Sequence, residues 1–365
     1  MADVRRAVRA SLLTLVEERE GAARSEAPPA LVLVALSGGP DSLALAAATA
    51  FEAPRAGLRA GAVVVDHGLQ EGSAEIAERA AAAARSLGLA PVIVRRVAVP
   101  ARRAVTHGPP EGRNGHVSDG STEGGASYPG PEGAARAARY AALDAVRAET
   151  AAAAVLLGHT LDDQAETVLL GLARGSGAAS LQGMAPVGGA YRRPLLGLRR
   201  AITAAACADQ GLEPWADPQN ADPAFARVRT RHRVLPVLEA ELGPGIAEAL
   251  ARTAEQLRED AAALDHMVEE MIEDLVLDGA DPVTEEPYPG GGISLPVAAL
   301  AANPPAIRHR LIRRVVQAEL GIALTRERTL EVARLVTDWH GQGPIDLPEA
   351  RAERIGPRIV FRRAD

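Results

Sequence analysis

Residues 31–50 read LVLVALSGGPDSLALAAATA, an apolar run that stops at Ser37-Gly38-Gly39 and gives way to a helical pattern opening at Pro40-Asp41-Ser42. The run 31–36 has the length and composition of a buried strand, and Pro40 suits the first turn of a helix, where its missing N–H costs nothing. Between them, two glycines let the backbone come close to a ligand. Ser37 and Ser42 add hydroxyls beside helix N-terminal amides that have no acceptor within the helix. A strand, tight turn and helix of this kind make an anion site. Taken alone, a Gly-Gly turn after a strand is also an ordinary tight turn. A Walker A loop is excluded, because the GxxxxGK[ST] spacing is absent and the chain has no lysine. Asp41 is out of place beside an anion unless a cation joins it, which points to phosphates bound together with a metal ion.

Outward from this turn, apolar runs at 62–65, 91–94 and 152–157 alternate with alanine-rich helical stretches. The pattern predicts an α/β domain, a parallel sheet with helices on its faces, whose ligands bind at the carboxyl ends of the strands. Residues 105–133 carry almost no large apolar side chain and read as a mobile insertion. His107 and His116 within it lack the Cys or carboxylate spacing of a metal site. The N-terminal stretch reads as an amphipathic helix, with Glu17, Glu18 and Glu20 where a signal peptide would need its cleavage site. At 365 residues, with 47% hydrophobic and 24% charged, the chain has the composition of a globular protein and room for roughly two or three domains. No run is long and apolar enough to span a bilayer. The single Cys207 excludes an internal disulfide framework and any CxxC motif, so a reducing cytoplasm is expected. The net charge of −7 does not exclude nucleic acid, because the arginines are unevenly distributed.

A second constellation, Gly158-His159-Thr160-Leu161-Asp162-Asp163-Gln164-Ala165-Glu166, follows the fourth strand directly. With a helix starting near Asp162, Asp163 and Glu166 stand at i, i+3 and Asp162 and Glu166 at i, i+4, so the acids share a face. Carboxylates at a strand's carboxyl end, facing a triphosphate, suit Mg²⁺. Asp162 and Asp163 equally suit the positive end of a helix dipole. Their place on the same sheet edge as the phosphate turn favours the metal reading.

The string SGGPDS resembles the SGGxDS loop of the PP-loop ATP pyrophosphatases. Further segments occur in the order and approximate spacing of one family among them. They are Val65-Asp66-His67-Gly68-Leu69, Ala138-Arg139-Tyr140, the 158–170 stretch GHTLDDQAETVLL, Arg174-Gly175-Ser176-Gly177 followed by Leu181-Gln182-Gly183-Met184, and Arg193-Pro194-Leu195-Leu196. Asp217-Pro218-Gln219-Asn220 and the 227–236 run RVRTRHRVLP continue the match, which covers roughly residues 30–240. Together they resemble the tRNA(Ile)-lysidine synthase family. The resemblance implies a ligase that uses ATP and Mg²⁺ to join L-lysine to the wobble cytidine of a tRNA(Ile) with a CAU anticodon, and it allows a homodimer. By the same resemblance, Ser37, Gly38, Gly39, Pro40 and Ser42 hold the phosphates and Asp41 helps hold Mg²⁺. Asp163 and Glu166 complete the metal site or orient the incoming amine, and Arg139 offsets charge at the transferred adenylyl group. Asp66, His67, Gly158 and His159 belong to the ATP site, with His159 bracing the acidic loop, and Arg174, Gly175, Ser176 and Gly177 form a substrate loop. The chain departs from the family at Val228, where asparagine is usual, and at Gln219, where serine is common.

Arg227, Arg229, Arg231 and Arg233 alternate with other residues. In an extended segment they would aim four guanidiniums one way and suit RNA phosphates; in a helix, as the family has it, they would spread around the surface. Arg227, Arg229 and Arg231 are expected on tRNA, as are Arg308 and Arg313 on the basic run RHRLIRR at 308–314. The domains expected are a catalytic domain at 1–235, a helical connector at 236–278 in which residues 238–278, with an apolar stripe, read as one long helix, and a small α+β tRNA-binding domain at 293–365. Gly/Pro-rich residues 279–292 mark the last boundary. Within the C-terminal domain, helices are predicted at 304–319 and 326–339 and a strand pair at 351–355 and 358–362. Another PP-loop activity is less well matched: sulfur transfer calls for more cysteines, and no glutamine-hydrolysing domain is evident.

Overall fold

The computed structural model describes residues 1–20, 29–68, 72–97, 131–175, 177–275, 277–278 and 292–364. The described chain forms two compact units that divide between Arg258 and Glu259. The first unit runs α1 (Ala2–Glu20), β1 (Leu31–Ala35), α2 (Pro40–Glu52), β2 (Arg59–Asp66), α3 (Ser73–Ser86), β3 (Val92–Arg96), α4 (Pro131–Thr150) and β4 (Ala154–Leu156). It continues with α5 (Leu161–Ala173), α6 (Ala178–Leu181), β5 (Val187–Gly188), β6 (Tyr191–Arg192), α7 (Arg200–Asp209), α8 (Ala226–Arg229), α9 (Leu235–Leu242) and the start of α10 (Ile246–Leu275).

The sheet order is β3-β2-β1-β4-β6-β5, parallel except for β5. The four predicted strands are adjacent, from the β3 edge to β4; β5 and β6, two residues each, are too short to show as apolar runs. Side chains of β1 alternate between two cores. Val32 and Val34 pack with residues of α1, α2, α3 and α7, whereas Leu31 and Leu33 pack with Leu143 and Val146 of α4. Burying each of these four contributes about 1.5–3 kcal/mol, which makes β1 the best-anchored strand and the turn that follows it a fixed point. Strand order reverses between β1 and β4, and in open sheets the crevice at such a reversal receives ligands.

α1 docks on this core through Val4, Val8 and Leu12, spaced four apart and fully buried. A buried carboxylate completes the contact: Glu52, at the end of α2, accepts from Arg5 Nε (2.9 Å) and from Arg9 Nε (2.8 Å) and Nη2 (3.1 Å). The Arg9 hydrogen bonds, helped by Arg5 and opposed by burial, hold the Glu52 carboxyl down at about 2.

In place of one helix over 238–278 there are two, α9 and α10, because Gly243 and Gly245 adopt φ values of +97° and +96° around Pro244. Glu239 of α9 caps the second helix, accepting from Gly245 N–H (2.6 Å) and Ala247 N–H (3.1 Å). The second unit holds the rest of α10, then β7 (Leu277–Asp278), β8 (Ile293–Pro296), α11 (Val297–Ala302), α12 (Pro305–Leu320), α13 (Arg326–Thr337), β9 (Ile345–Leu347), β10 (Ala350–Ile355) and β11 (Arg358–Arg363). Its predicted strand pair, β10 and β11, lies within a five-stranded antiparallel sheet of order β7-β8-β11-β10-β9. Ile307, Leu311, Val315 and Val316 of α12 bury one face against Val332 and Leu335 of α13 and Phe361 of β11. Most of the 105–133 insertion and nearly all of 279–292 lie outside the described residues.

Replacing Glu52 by Gln is expected to lower the thermal midpoint at pH 7. The wild-type advantage is fully present above the unfolded value of about 4.3 and is lost as the pH falls through the folded value of about 2. Melting curves from pH 7 to 2 should therefore converge in acid; parallel curves would show that Glu52 does not anchor α1.

Candidate active site

The turn between β1 and α2 is closed across its base by hydroxyls. Ser42 Oγ donates to Gly39 O (2.9 Å) and accepts from Ser37 N–H (3.2 Å), with Ser37 Oγ 3.1 Å away. Gly38 has φ +83°, a conformation that costs an L side chain about 1–2 kcal/mol. Its carbonyl accepts from Trp215 N–H at 2.9 Å, which ties the turn to the segment after α7. Pro40 opens α2 without an N–H, so the amides of Asp41 and Ser42 stand at the helix mouth with no intrahelical acceptor. The end of β4 lies against the same mouth. A Cβ on Gly158 would be 3.2 Å from Asp41 C and O and from Ser42 N, so the α2 backbone would have to give by a few tenths of an ångström to admit a side chain there.

That approach brings α5 and its acids beside Asp41. Asp163 caps its own helix, Oδ2 accepting from Thr160 N–H (2.8 Å) and Oγ1 (2.9 Å), while its Oδ1 faces Arg200 Nη2 at 2.7 Å. Asp162 turns to α7 and caps it, accepting from Arg200 N–H at 2.7 Å. Arg200 then joins the cluster: its Nε is 3.4 Å from Asp41, Nη2 is 2.7 Å from Asp163 and Nη1 is 3.5 Å from Glu166. Each nitrogen meets a different carboxylate. Glu166 is fully buried and takes a bidentate pair from Arg231, Nε at 2.7 Å and Nη2 at 3.0 Å, with Arg227 Nε at 3.7 Å. Burial pushes the Asp163 carboxyl up, but Arg200 and the Thr160 hydrogen bonds outweigh it and leave it below its ordinary value. Asp41 goes the other way: burial raises it more than the Thr203 hydroxyl and Arg200 lower it.

Across the crevice the charge is positive. Burial lowers Arg139, whose neighbours include Arg136 and Arg227. It also lowers His67, with Arg139 adding to the effect, and takes His159 down to about 3 against the pull of Asp163. Both rings are therefore neutral at pH 7. His67 Nδ1, Arg139 Nε and His159 Nδ1 are buried polar atoms without a hydrogen-bond partner among the described residues. Asp66, buried at the end of β2, accepts from Gly68 N–H (2.9 Å), and although burial raises it, the Ser73 hydrogen bond, this one and the nearby Arg96 charge keep it low. An open helix mouth, with a buried guanidinium nitrogen of Arg139 left without a partner, fits a ligand that carries phosphates.

The metal expectation fares differently. Among the described residues no group of three His, Cys, Asp or Glu side chains is placed to hold a metal ion. Asp41, Asp163 and Glu166 do come together, but around the Arg200 guanidinium, so the trio does not fit a cation cradle. The arginine row is also divided. Residues 226–234 form α8 and a π turn (Thr230–Val234), not an extended segment. Arg227 and Arg231 point to Glu166; Arg229 Nη1 donates to Pro223 O and Ala224 O, both at 2.7 Å. In the second unit Arg308 is buried and donates to Asn303 O (3.0 Å), and burial lowers Arg313. Arg174 and Gly175 are exposed at the end of α5 and Gly177 precedes α6; Ser176 lies outside the described residues. Sequence reasoning missed Arg200 and Thr203, whose hydroxyl donates to Asp41 Oδ1. One signal was available: Arg199-Arg200 opens a helix, where the dipole disfavours a cation unless carboxylates lie opposite.

A family model described as a PP-loop domain matches residues 8–238, and one described as the TilS substrate binding domain matches residues 295–355. A tRNA(Ile)-lysidine synthase of Leifsonia xyli subsp. xyli is 58% identical over 335 residues, 92% of this chain and 90% of its own. Another, of Thermobifida fusca, is 51% identical over 337 residues, 92% of each chain. Among solved structures, a U34-tRNA thiolase of Methanococcus maripaludis aligns at a TM-score of 0.51 with 18% identity, over 71% of this chain and 78% of that one, a likeness of fold alone.

Arg200→Ala would leave three carboxylates facing one another, and a loss of about 3 kcal/mol at pH 7 is expected, the low end for removing one partner of a buried pair. With the cation gone the carboxyls shift upward, so the variant should regain part of the deficit as the pH falls from 7 to 5. Chemical denaturation at both pH values tests this; an equal deficit at each would mean that Arg200 does not hold the cluster's charge.

Proposed function

Since the chain belongs to the tRNA(Ile)-lysidine synthase family, we propose that it joins L-lysine to C2 of the wobble cytidine of a CAU-anticodon tRNA(Ile), so that the tRNA reads AUA codons and accepts isoleucine. The cytidine C2 oxygen attacks the α-phosphorus of ATP, and the bond to diphosphate breaks. The lysine amine then adds at C2, the C2–O bond breaks, AMP leaves and the amine gives up its proton, yielding lysidine. In this reading Ser37, Gly38, Gly39, Pro40 and Ser42 receive the diphosphate end, Asp66, His67, Gly158 and His159 line the rest of the nucleotide, and Arg139 meets the negative charge developing at the α-phosphate. Asp163 and Glu166 orient the cationic amino acid. The loop Arg174, Gly175, Ser176 and Gly177 attends the substrate. Asp41 would help hold Mg²⁺ among the ATP phosphates, where the ion would offset their negative charge. The reading includes a cytoplasmic enzyme that can pair as a homodimer; among the described residues no helix is long and apolar enough to cross a membrane.

The observation that carries this reading is the close approach at Gly158, which sets an open phosphate turn beside a buried acidic pair held by arginines. The test is incorporation of labelled L-lysine into a CAU-anticodon tRNA(Ile) transcript with ATP and Mg²⁺, comparing wild type with Asp41→Ala and Glu166→Ala. Wild type should incorporate lysine and each variant should lose roughly a hundredfold or more while still binding tRNA. A wild-type chain that binds the tRNA without incorporating lysine would overturn the reading in favour of another PP-loop substrate.

A further inference from the structure

Arg227 and Arg231 spend their charge on Glu166, yet two arginines and a histidine of the same segment do not share in that pairing. Arg229, His232 and Arg233 instead line a cavity of about 220 Å³ together with Ala221, Pro223 and Val228. The backbone builds it. The Asp217-capped turn Pro218–Ala221 forms one wall, and the π turn, closed by Leu235 N–H donating to Thr230 O, carries the cationic wall. π turns inside helices are frequent at functional sites. Arg229 is fixed by its two carbonyl acceptors at 2.7 Å, which leaves other N–H groups of its fork for a ligand. His232 and Arg233 are exposed, and among the described residues no carboxylate forms an ion pair with any of the three. The nearby acids are turned to the backbone: Asp217 accepts from Gln219 N–H (2.9 Å) and Asp222 from Ala224 N–H (2.8 Å).

We propose that this cavity is an RNA-strand site, in which Arg233, with Arg229 and His232, binds the backbone phosphates of the tRNA. The inference rests on the lysidine synthase reading for the identity of the polyanion. It is favoured over a small-molecule site because the volume is below the ~300 Å³ typical of such pockets and two arginines stand on its lining. Backbone phosphates are the ligand that such unpaired arginines suit, through forked hydrogen bonds and counterion release.

The test is the affinity of the full chain for the CAU-anticodon tRNA(Ile) transcript, by fluorescence anisotropy between about 50 and 200 mM salt, for wild type, Arg233→Ala, His232→Ala and Arg233→Lys. Arg229→Ala is avoided because that side chain also holds the Pro223–Ala224 turn. Arg233→Ala should weaken binding roughly fivefold and flatten the slope of log affinity against log salt by about 1, and Arg233→Lys should restore most of both. His232→Ala should weaken binding less. At saturating tRNA, lysine incorporation should keep its turnover while the KM for tRNA rises. Unchanged affinity and slope in Arg233→Ala, with wild type binding and modifying tRNA normally, would overturn the site and leave the functional reading intact. Wild type that neither binds nor modifies the tRNA would overturn both. Arg233-dependent binding of inorganic diphosphate, with tRNA affinity insensitive to Arg233, would overturn the RNA assignment in favour of a free phosphate.

Discussion

Arg200 faces three carboxylates that come from different parts of the chain, and the geometry of the crevice depends on it. Asp41 belongs to α2, Asp163 and Glu166 to α5, and Arg200 to α7, so one guanidinium fixes three helices to one another. The burial of Glu166 would be costly if its charge were unpaired. Arg231 adds the bidentate bond that completes its shell and pulls the 226–234 segment into the same cluster. The site is therefore held mainly by charge pairing at its floor, above a sheet held by apolar burial.

That floor lies where it does because of strand order. β1 and β4 are neighbours with connections leading away on opposite sides, which opens a crevice at their carboxyl ends. Gly158 then decides how narrow the crevice is. With a hydrogen in place of a side chain, the β4 loop packs against the backbone of Asp41 and Ser42, so the helix mouth that suits phosphate and the acids that suit a cation share one edge.

Several residues carry two tasks, and this explains why their spacing looked ambiguous. Asp163 caps α5 with one oxygen and meets Arg200 and Arg231 with the other. Asp162 serves α7 in place of a local cap. The helix-dipole and charge-cluster readings of the acidic run are both correct, each for a different oxygen or residue. A metal cradle was the natural expectation from carboxylates alone; it fails as a trio because the countercharge comes from Arg200, which is distant in sequence.

The strand–turn–helix at 31–50, the parallel core strands, the paired C-terminal strands and the family were legible in the sequence, since each rests on local period or on contiguous motifs. Apolar runs of five or six residues have few ways to be buried, and a Gly-Gly-Pro turn has few backbones open to it. What only the tertiary structure decided were the partners of the charges: that Arg200 faces Asp41 across 159 positions, that Arg231 turns inward while Arg233 turns to a cavity, and that Arg308 is buried. Hydrophobic periodicity is a property of neighbouring residues and survives in a string of letters. Ion pairing depends on distances of a few ångströms between segments far apart in sequence, and those distances exist only once the sheet order and helix packing are in place.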